Sequence, residues 1–131
     1  MADQNHLNRL KQENGLKKWN RWRKQYPNKW ADLSETDLSG FDLREGNFSK
    51  TNLRETQLNG ANLSRTDLMS ADLINASLMN AILIGANLQE AFLLGANLSG
   101  ANLNGANLTN AHITKEQLVQ AKLSPKVPPE V

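Results

Sequence analysis

Few side chains in this 131-residue chain are equipped for proton-transfer or covalent chemistry. Two imidazoles, His6 and His112, could exchange a proton near neutral pH, but they stand at opposite ends of the chain, and no nucleophile has a base with an orienting partner. Cysteine is absent, which removes disulfides, CxxC redox chemistry and thiolate metal sites and is neutral about compartment. No glycine-rich phosphate loop or metal-ligand spacing occurs. Asp32, Asp37 and Asp42 recur at intervals of five, so whether they could share a cation depends on the element that carries them. What remains is suited to recognition: a pair of tryptophans, Trp19 and Trp22, set among Lys and Arg, and apolar residues at positions where polar ones are the rule.

The element that positions them is a repeat. From Leu33 to Leu123 an apolar residue returns at every fifth position, nineteen times, and it is Leu except at Phe48 and Ile113. Two residues before it stands Ala twelve times, with Thr36, Thr51, Thr56, Thr66 and Gly46 as small variants. A period of five fits neither a helix nor a strand, because either would spread the Leu residues over several faces. A coil that turns a corner every five residues fits: the Leu and the small residue point inward and the other three positions face solvent. Each buried Leu then contributes roughly 1.5–3 kcal/mol to a core that no single pentapeptide could form.

Six of the eight glycines, Gly40, Gly60, Gly85, Gly95, Gly100 and Gly105, lie two residues after a central Leu, joined there by Asn75, Asn80 and Asn110. That is where a type II turn needs positive φ, which Gly and Asn adopt cheaply. Glu35, Glu45, Lys50, Glu55, Arg65 and Glu90 hold the same slot elsewhere, and a different turn type is expected at those corners. Gly46 stands two before Phe48, where a large inward ring leaves no room for a methyl group.

Segments such as Ala61-Asn-Leu-Ser-Arg, Ala71-Asp-Leu-Ile-Asn and Ala96-Asn-Leu-Ser-Gly closely resemble the pentapeptide-repeat family, over about two thirds of the chain. The resemblance implies an all-β solenoid, a right-handed quadrilateral β-helix with four pentapeptides per coil. The sixteen clean repeats from Ala31 to Asn110 would then make about four coils, standing about 20 Å tall at the spacing of paired strands. Trp19-Asn-Arg-Trp22-Arg is similar to a segment that precedes the repeats in cyanobacterial members.

The ends read differently. Leu7, Leu10, Leu16, Trp19, Trp22 and Tyr26 follow helical spacing, with Asn14-Gly15 placed to break or kink the helix and Pro27 placed to end it. Residues 1–30 are therefore expected to form a basic amphipathic helical cap, with Trp19 and Trp22 packed against the first coil, and residues 31–113 the β-helix. Glu116 falls on an inward position, where an unpaired charge would cost several kcal/mol. Thr114-Lys-Glu-Gln117 has the capping-box form, so residues 114–123 are expected as a short helical cap and 124–131 as a flexible tail, with Lys126 to Val131 frayed.

With four repeats per coil, residues twenty apart stack. Asp32, Asp37 and Asp42 then lie on three faces and share no metal. Ile74, Phe92 and Leu94 cluster outward on one side, Ile82 and Ile84 flank inward Leu83 on the opposite side, and Met69 and Met79 take outward slots on the remaining two. A contiguous apolar patch suggests an interface, whereas scattered surface hydrophobes do not. Glu45 should pair weakly with Arg65 above it, and the Asn and Asp columns are expected to hydrogen-bond along the stack.

Residues 1–30 carry eight Lys or Arg against Asp3 and Glu13, while Ala31 to Leu123 carry six bases against ten acids. The basic helix raises nucleic-acid binding or a membrane surface, but eight charges on an amphipathic helix, Lys11, Lys17, Lys18, Arg21 and Arg23 among them, read as a solvated face, and no groove-reading or stacking module occurs. The start of the chain shows no signal peptide and no stretch approaches a membrane span, so the cytoplasm is the expected compartment. The expected role is a non-catalytic, rigid protein-binding or scaffold module, with no cofactor, metal or small-molecule ligand, acting on a foreign partner or on itself. The resemblance raises one further role, since some family members mimic duplex DNA and modulate type II topoisomerase. That role needs a long, strongly acidic rod, and a coil with a net charge of −4 over four coils fits it poorly.

Overall fold

A computed structural model describes residues 2–121. Two helices open it, α1 (Gln4–Lys11) and α2 (Gly15–Gln25), and one closes it, α3 (Lys115–Gln120). Asp3 caps α1, its carboxylate accepting from the amides of Asn5 and His6. Asn14, at φ 57°, turns the chain between α1 and α2. Gly15 is required there because a Cβ would run into the Leu10 carbonyl.

Between the helices the backbone climbs by parallel pairing of residues twenty apart. Among the described residues only β1 (Ala31–Asp32) and β2 (Thr51–Asn52) are long enough to be strands, and they pair as Ala31 with Thr51 and Asp32 with Asn52. The remaining pairings are single parallel bridges, from Asp37 with Gln57 up to Phe92 with His112. A five-residue repeat leaves too few extended residues between corners for longer strands. Inside the solenoid the central residues from Leu33 to Ile113 are buried, as are the small residues before them, with Phe41 half-buried. A Cβ on Gly46 would strike the Phe48 ring, so that glycine exists to admit the phenylalanine.

Where the turn-closing Asn or Asp is present inside the solenoid, as in the repeat 61–65, all five backbone N–H groups find an acceptor. In the repeat 61–65, Ala61 donates to the Leu58 carbonyl, Asn62 down to Phe41, Leu63 up to Ile82 and Arg65 up to Ile84. The fifth amide, Ser64, goes to Oδ1 of Asn62 at 3.1 Å. The expectation that the Asn and Asp columns bond along the stack is thus corrected. They close local turns, from Asp32 to Ser34 through to Asn107 to Thr109, because the backbone has already taken every ladder position.

The expected change of turn type at side-chain-bearing corners is also overturned. All sixteen corners from Glu35 to Asn110 have positive φ, 67–74° at the glycines and 54–62° at the others. The corner amides from Glu35 to Glu90 are bound to the coil above, as Glu55 is to Ile74 and Lys50 to Met69. The ladder therefore sets φ, and a corner with a side chain accepts about 1–2 kcal/mol of strain.

At the lower end, α2 lies against the first coil. Trp19 is fully buried, 5.6 Å from the Phe48 ring, and donates its indole N–H to the Asn47 carbonyl at 2.7 Å. Trp22 is half-buried between His6 and Arg9. Arg23, expected on the solvated face, is instead 2% exposed. Its guanidinium donates to the carbonyls of Lys29, Pro27 and Ser49, which compensate a charge whose pKa burial lowers. Lys11, Lys17, Lys18 and Arg21 do face solvent.

At the upper end Thr114 and Gln117 form a capping box around the start of α3. Gln117 is buried and donates to the carbonyls of Leu93 and Ala96, while Glu116 is exposed on the helix. Leu123 and the expected tail at 124–131 lie outside the described residues.

Candidate functional site

One face carries the column Asp32, Asn52, Asp72, Phe92, His112, each paired through its backbone with the next. Phe92 and Leu94 flank inward Leu93 and are 40% and 51% exposed, and Ile74 is half-buried one coil below Leu94. The Phe92 ring stacks on the His112 imidazole, with centres 4.6 Å apart and planes at 8°. Around this pair Ser70, Glu90, Asn110 and Ala111 complete a shallow cleft of about 570 Å³. Beneath Ile74, Arg54 bridges to Asp72 at 3.2 Å.

The turn chemistry of the repeat shows what these apolar residues displace. Where the position before Leu is Asn or Asp, its Oδ1 accepts the amide two residues on, as Asp72 does for Ile74. At Ser77 the acceptor comes from the coil below, where Asn59 Oδ1 receives the Met79 amide at 3.0 Å. Phe92 and Ile82 can supply none, and the amides of Leu94 and Ile84 have no acceptor among the described residues. Each substitution thus forgoes a hydrogen bond worth about 0.5–1.5 kcal/mol and leaves a large apolar group in water.

Ile74, Phe92 and Leu94 are brought together. Ile82, half-buried, and Ile84, 40% exposed, share a different face, since Ile82 pairs with Asn62 and Asn102. Met69 is half-buried and Met79 exposed. Asp32, Asp37 and Asp42 belong to three separate bridges, and among the described residues no group of three or more His, Cys, Asp and Glu is placed to hold a metal ion. No helix among them is long and apolar enough to cross a membrane. Arg65 meets Glu45 at 3.2 Å with both side chains in solvent.

Sequence reasoning overlooked Trp30, which is 64% exposed over a cleft shared with Lys50, Arg54 and Asp72. The available signal was an aromatic residue immediately before the first repeat. His6, considered from the sequence only as a proton-exchanging group, has a structural role instead: its Nδ1 accepts the Asp32 amide at 2.9 Å. Burial holds this imidazole below its ordinary value, although the Asp3 carboxylate 3.9 Å away acts in the opposite direction.

A coil of bridged pentapeptides around a Leu and Ala core defines a β-solenoid protein. The chain belongs to the pentapeptide-repeat family, whose model matches residues 31–68, 47–83 and 76–114 with eight copies of the repeat. Among solved structures it is similar to QnrB1, a plasmid-mediated fluoroquinolone resistance protein, at 28% identity and a TM-score of 0.58 over 61% of this chain and 42% of that one. It is also similar to HetL of Nostoc sp. strain PCC 7120, a pentapeptide-repeat protein involved in heterocyst differentiation regulation (32% identity, 70% and 43% of the two chains, TM-score 0.46). A third likeness is to Rfr23 of the cyanobacterium Cyanothece 51142 (26% identity, 85% and 93%, TM-score 0.44). The chain spans less than half the length of the first two. No curated protein matches.

Proposed function

We propose that this pentapeptide-repeat protein is a non-catalytic, rigid binding module, and that Ile74, Phe92 and Leu94 form its protein-contact patch, with Ile82 and Ile84 as a second one. The observation that carries this reading is Phe92. It occupies the slot of a turn-closing Asn or Asp and leaves the Leu94 amide without a side-chain acceptor, while two exposed apolar groups lie side by side. Such a site is costly to the isolated chain and favourable once covered. A solenoid core buried along its whole length supplies the stiffness that lets a small patch bind without ordering losses.

The test is sedimentation equilibrium of wild type and Phe92→Asn over a concentration range, with a pull-down of both from the same cells. Oligomers that dissociate on substitution identify self-association, and a captured protein lost with the variant identifies a foreign partner. Identical masses and identical captured proteins would overturn the reading.

A second reading, raised by the family resemblance, is a DNA-mimic modulator of type II topoisomerase, and the likeness to QnrB1, a plasmid-mediated fluoroquinolone resistance protein, is the comparison that bears on it. Only 42% of that chain is spanned and the coil carries six bases against ten acids, which weakens duplex mimicry. Unaltered supercoiling by gyrase at a large molar excess of the protein would remove it.

A further inference from the structure

The lowest coil has no coil beneath it, so its downward backbone groups need partners from elsewhere. On the side of Asn47 the N-terminal helices supply all of them. The Asn47 amide donates to Oδ1 of Asn20, the Asn47 carbonyl accepts the Trp19 indole, and the Ser49 carbonyl accepts Arg23. On the side of Asp32 the amide goes to His6 and the carbonyl accepts the Asp3 amide. The amide and carbonyl of Asp37 and the carbonyl of Ser39 have no partner among the described residues, and neither do the equivalent three groups one repeat before Asn47, the amide and carbonyl of Asp42 and the carbonyl of Arg44. Below the latter lies a cleft of about 520 Å³ roofed by one whole repeat, Phe41 to Glu45, and floored by Leu10, Gly15, Leu16 and Lys17.

We infer that this edge is a docking site for an extended peptide segment of a partner protein, added as a parallel strand beneath residues 41–45. The ladder inside the solenoid specifies the occupant. Asn62 donates down to Phe41, and Leu43 and Glu45 donate up to Asn62 and Ser64. By the same rule, the first residue of an incoming pentapeptide offers its carbonyl to the Asp42 amide, and its third and fifth residues donate to the carbonyls of Asp42 and Arg44. The third residue is apolar, because this register sets it beneath Leu43, in a cleft that Leu10 and Leu16 also line. An acidic flank is favoured: Arg44 is paired with Asp42 at 2.7 Å and Arg65 with Glu45, which leaves Lys17 as a cation with no ion pair among the described residues. A second copy stacked end to end does not fit, since coils pair at about 4.8 Å whereas a helix is about 10 Å thick, and α1 and α2 project beneath this coil. Strand addition of this kind draws affinity from main-chain bonds and specificity from the pocketed side chain.

The probe is the blocked peptide acetyl-EANLSGE-amide, titrated into 15N-labelled protein to about 1 mM, a range that captures weak binding. The expected result is saturable shifts confined to the amides of residues 41–45 and of 10–17. The same peptide N-methylated at its Leu amide should give none, and this comparison uses only the wild-type protein. Asp42→Pro, which removes the free amide, should weaken binding at least tenfold, while Asp42→Ala, which loses the same carboxylate but keeps the amide, should not. Phe92→Asn should bind the peptide as wild type does, so the outcome is independent of the patch proposed above. Absence of shifts, shifts elsewhere, or equal binding by the N-methylated peptide would overturn the inference.

Discussion

The indole N–H of Trp19, on a side chain with no exposed surface, donates to the Asn47 carbonyl at 2.7 Å and so takes the place of a backbone amide from a coil that does not exist. Trp19→Phe keeps most of the ring packing against Phe48 and deletes only the donor. The Asn47 carbonyl is then left in a dry contact, and the expected loss is about 1–3 kcal/mol in urea unfolding. A loss below 0.5 kcal/mol, on the order of a surface change, would mean that water replaces the indole.

His6 couples the same end to pH. Its Nδ1 can accept the Asp32 amide only when unprotonated, and burial lowers its pKa from the ordinary 6.5. Facing it are the carboxylates of Asp3 and Asp32, the guanidinium of Arg9 and the rings of Trp19 and Trp22. With the folded value below the unfolded one, the unfolded chain binds more protons, so the stabilisation is fully present above pH 6.5 and is lost as the pH falls below it. Thermal melts from pH 7.5 to 5 should show a fall that His6→Asn reduces; equal falls in both would assign the acid sensitivity elsewhere.

The corners allow backbone strain to be measured almost alone. A Cβ at Gly60 would meet nothing within 4 Å, yet φ there is 68°, so Gly60→Ala should cost about 1 kcal/mol without any clash. Glu55, at φ 58° with its side chain exposed, is the converse case. Glu55→Gly should stabilise by up to about 0.5 kcal/mol, part of the relieved strain being offset by the greater freedom of glycine when unfolded. Differential scanning calorimetry of the two variants together checks both signs.

Much of this architecture was legible because it rests on local volume and periodicity. Leu at every fifth position and Ala two before it could satisfy only a coil, the Gly46 and Phe48 pair announced its own packing, and Asn14-Gly15 marked the break between α1 and α2. What was not legible depends on partners distant in sequence. Arg23 looks like one more cation on a polar face until the carbonyls of Pro27, Lys29 and Ser49 converge on it. Side-chain-bearing corners look incompatible with positive φ until the amides of those from Glu35 to Glu90 are seen tied to the next coil. The same applies to the Asp42 edge, since no local feature of residues 41–45 distinguishes a repeat covered by α2 from one left open.

The apolar patch yields the sharpest comparison. Phe92→Ala and Phe92→Asn both remove the ring and its stack on His112, so their losses of burial nearly cancel when the two are compared. Only Asn restores Oδ1 at the position where every neighbouring Asn and Asp accepts the amide two residues on, as Asn52 does for Arg54 at 3.1 Å. Phe92→Asn should therefore be more stable than Phe92→Ala by about 0.5–1.5 kcal/mol, an unusual direction for a polar residue against alanine in an extended segment. If the Asn variant also loses association while its melting temperature stays near wild type, the phenylalanine contributes to binding and not to folding. If instead the two variants melt together, well below wild type, Phe92 belongs to the structural frame through its stack on His112 and the binding reading loses its principal support.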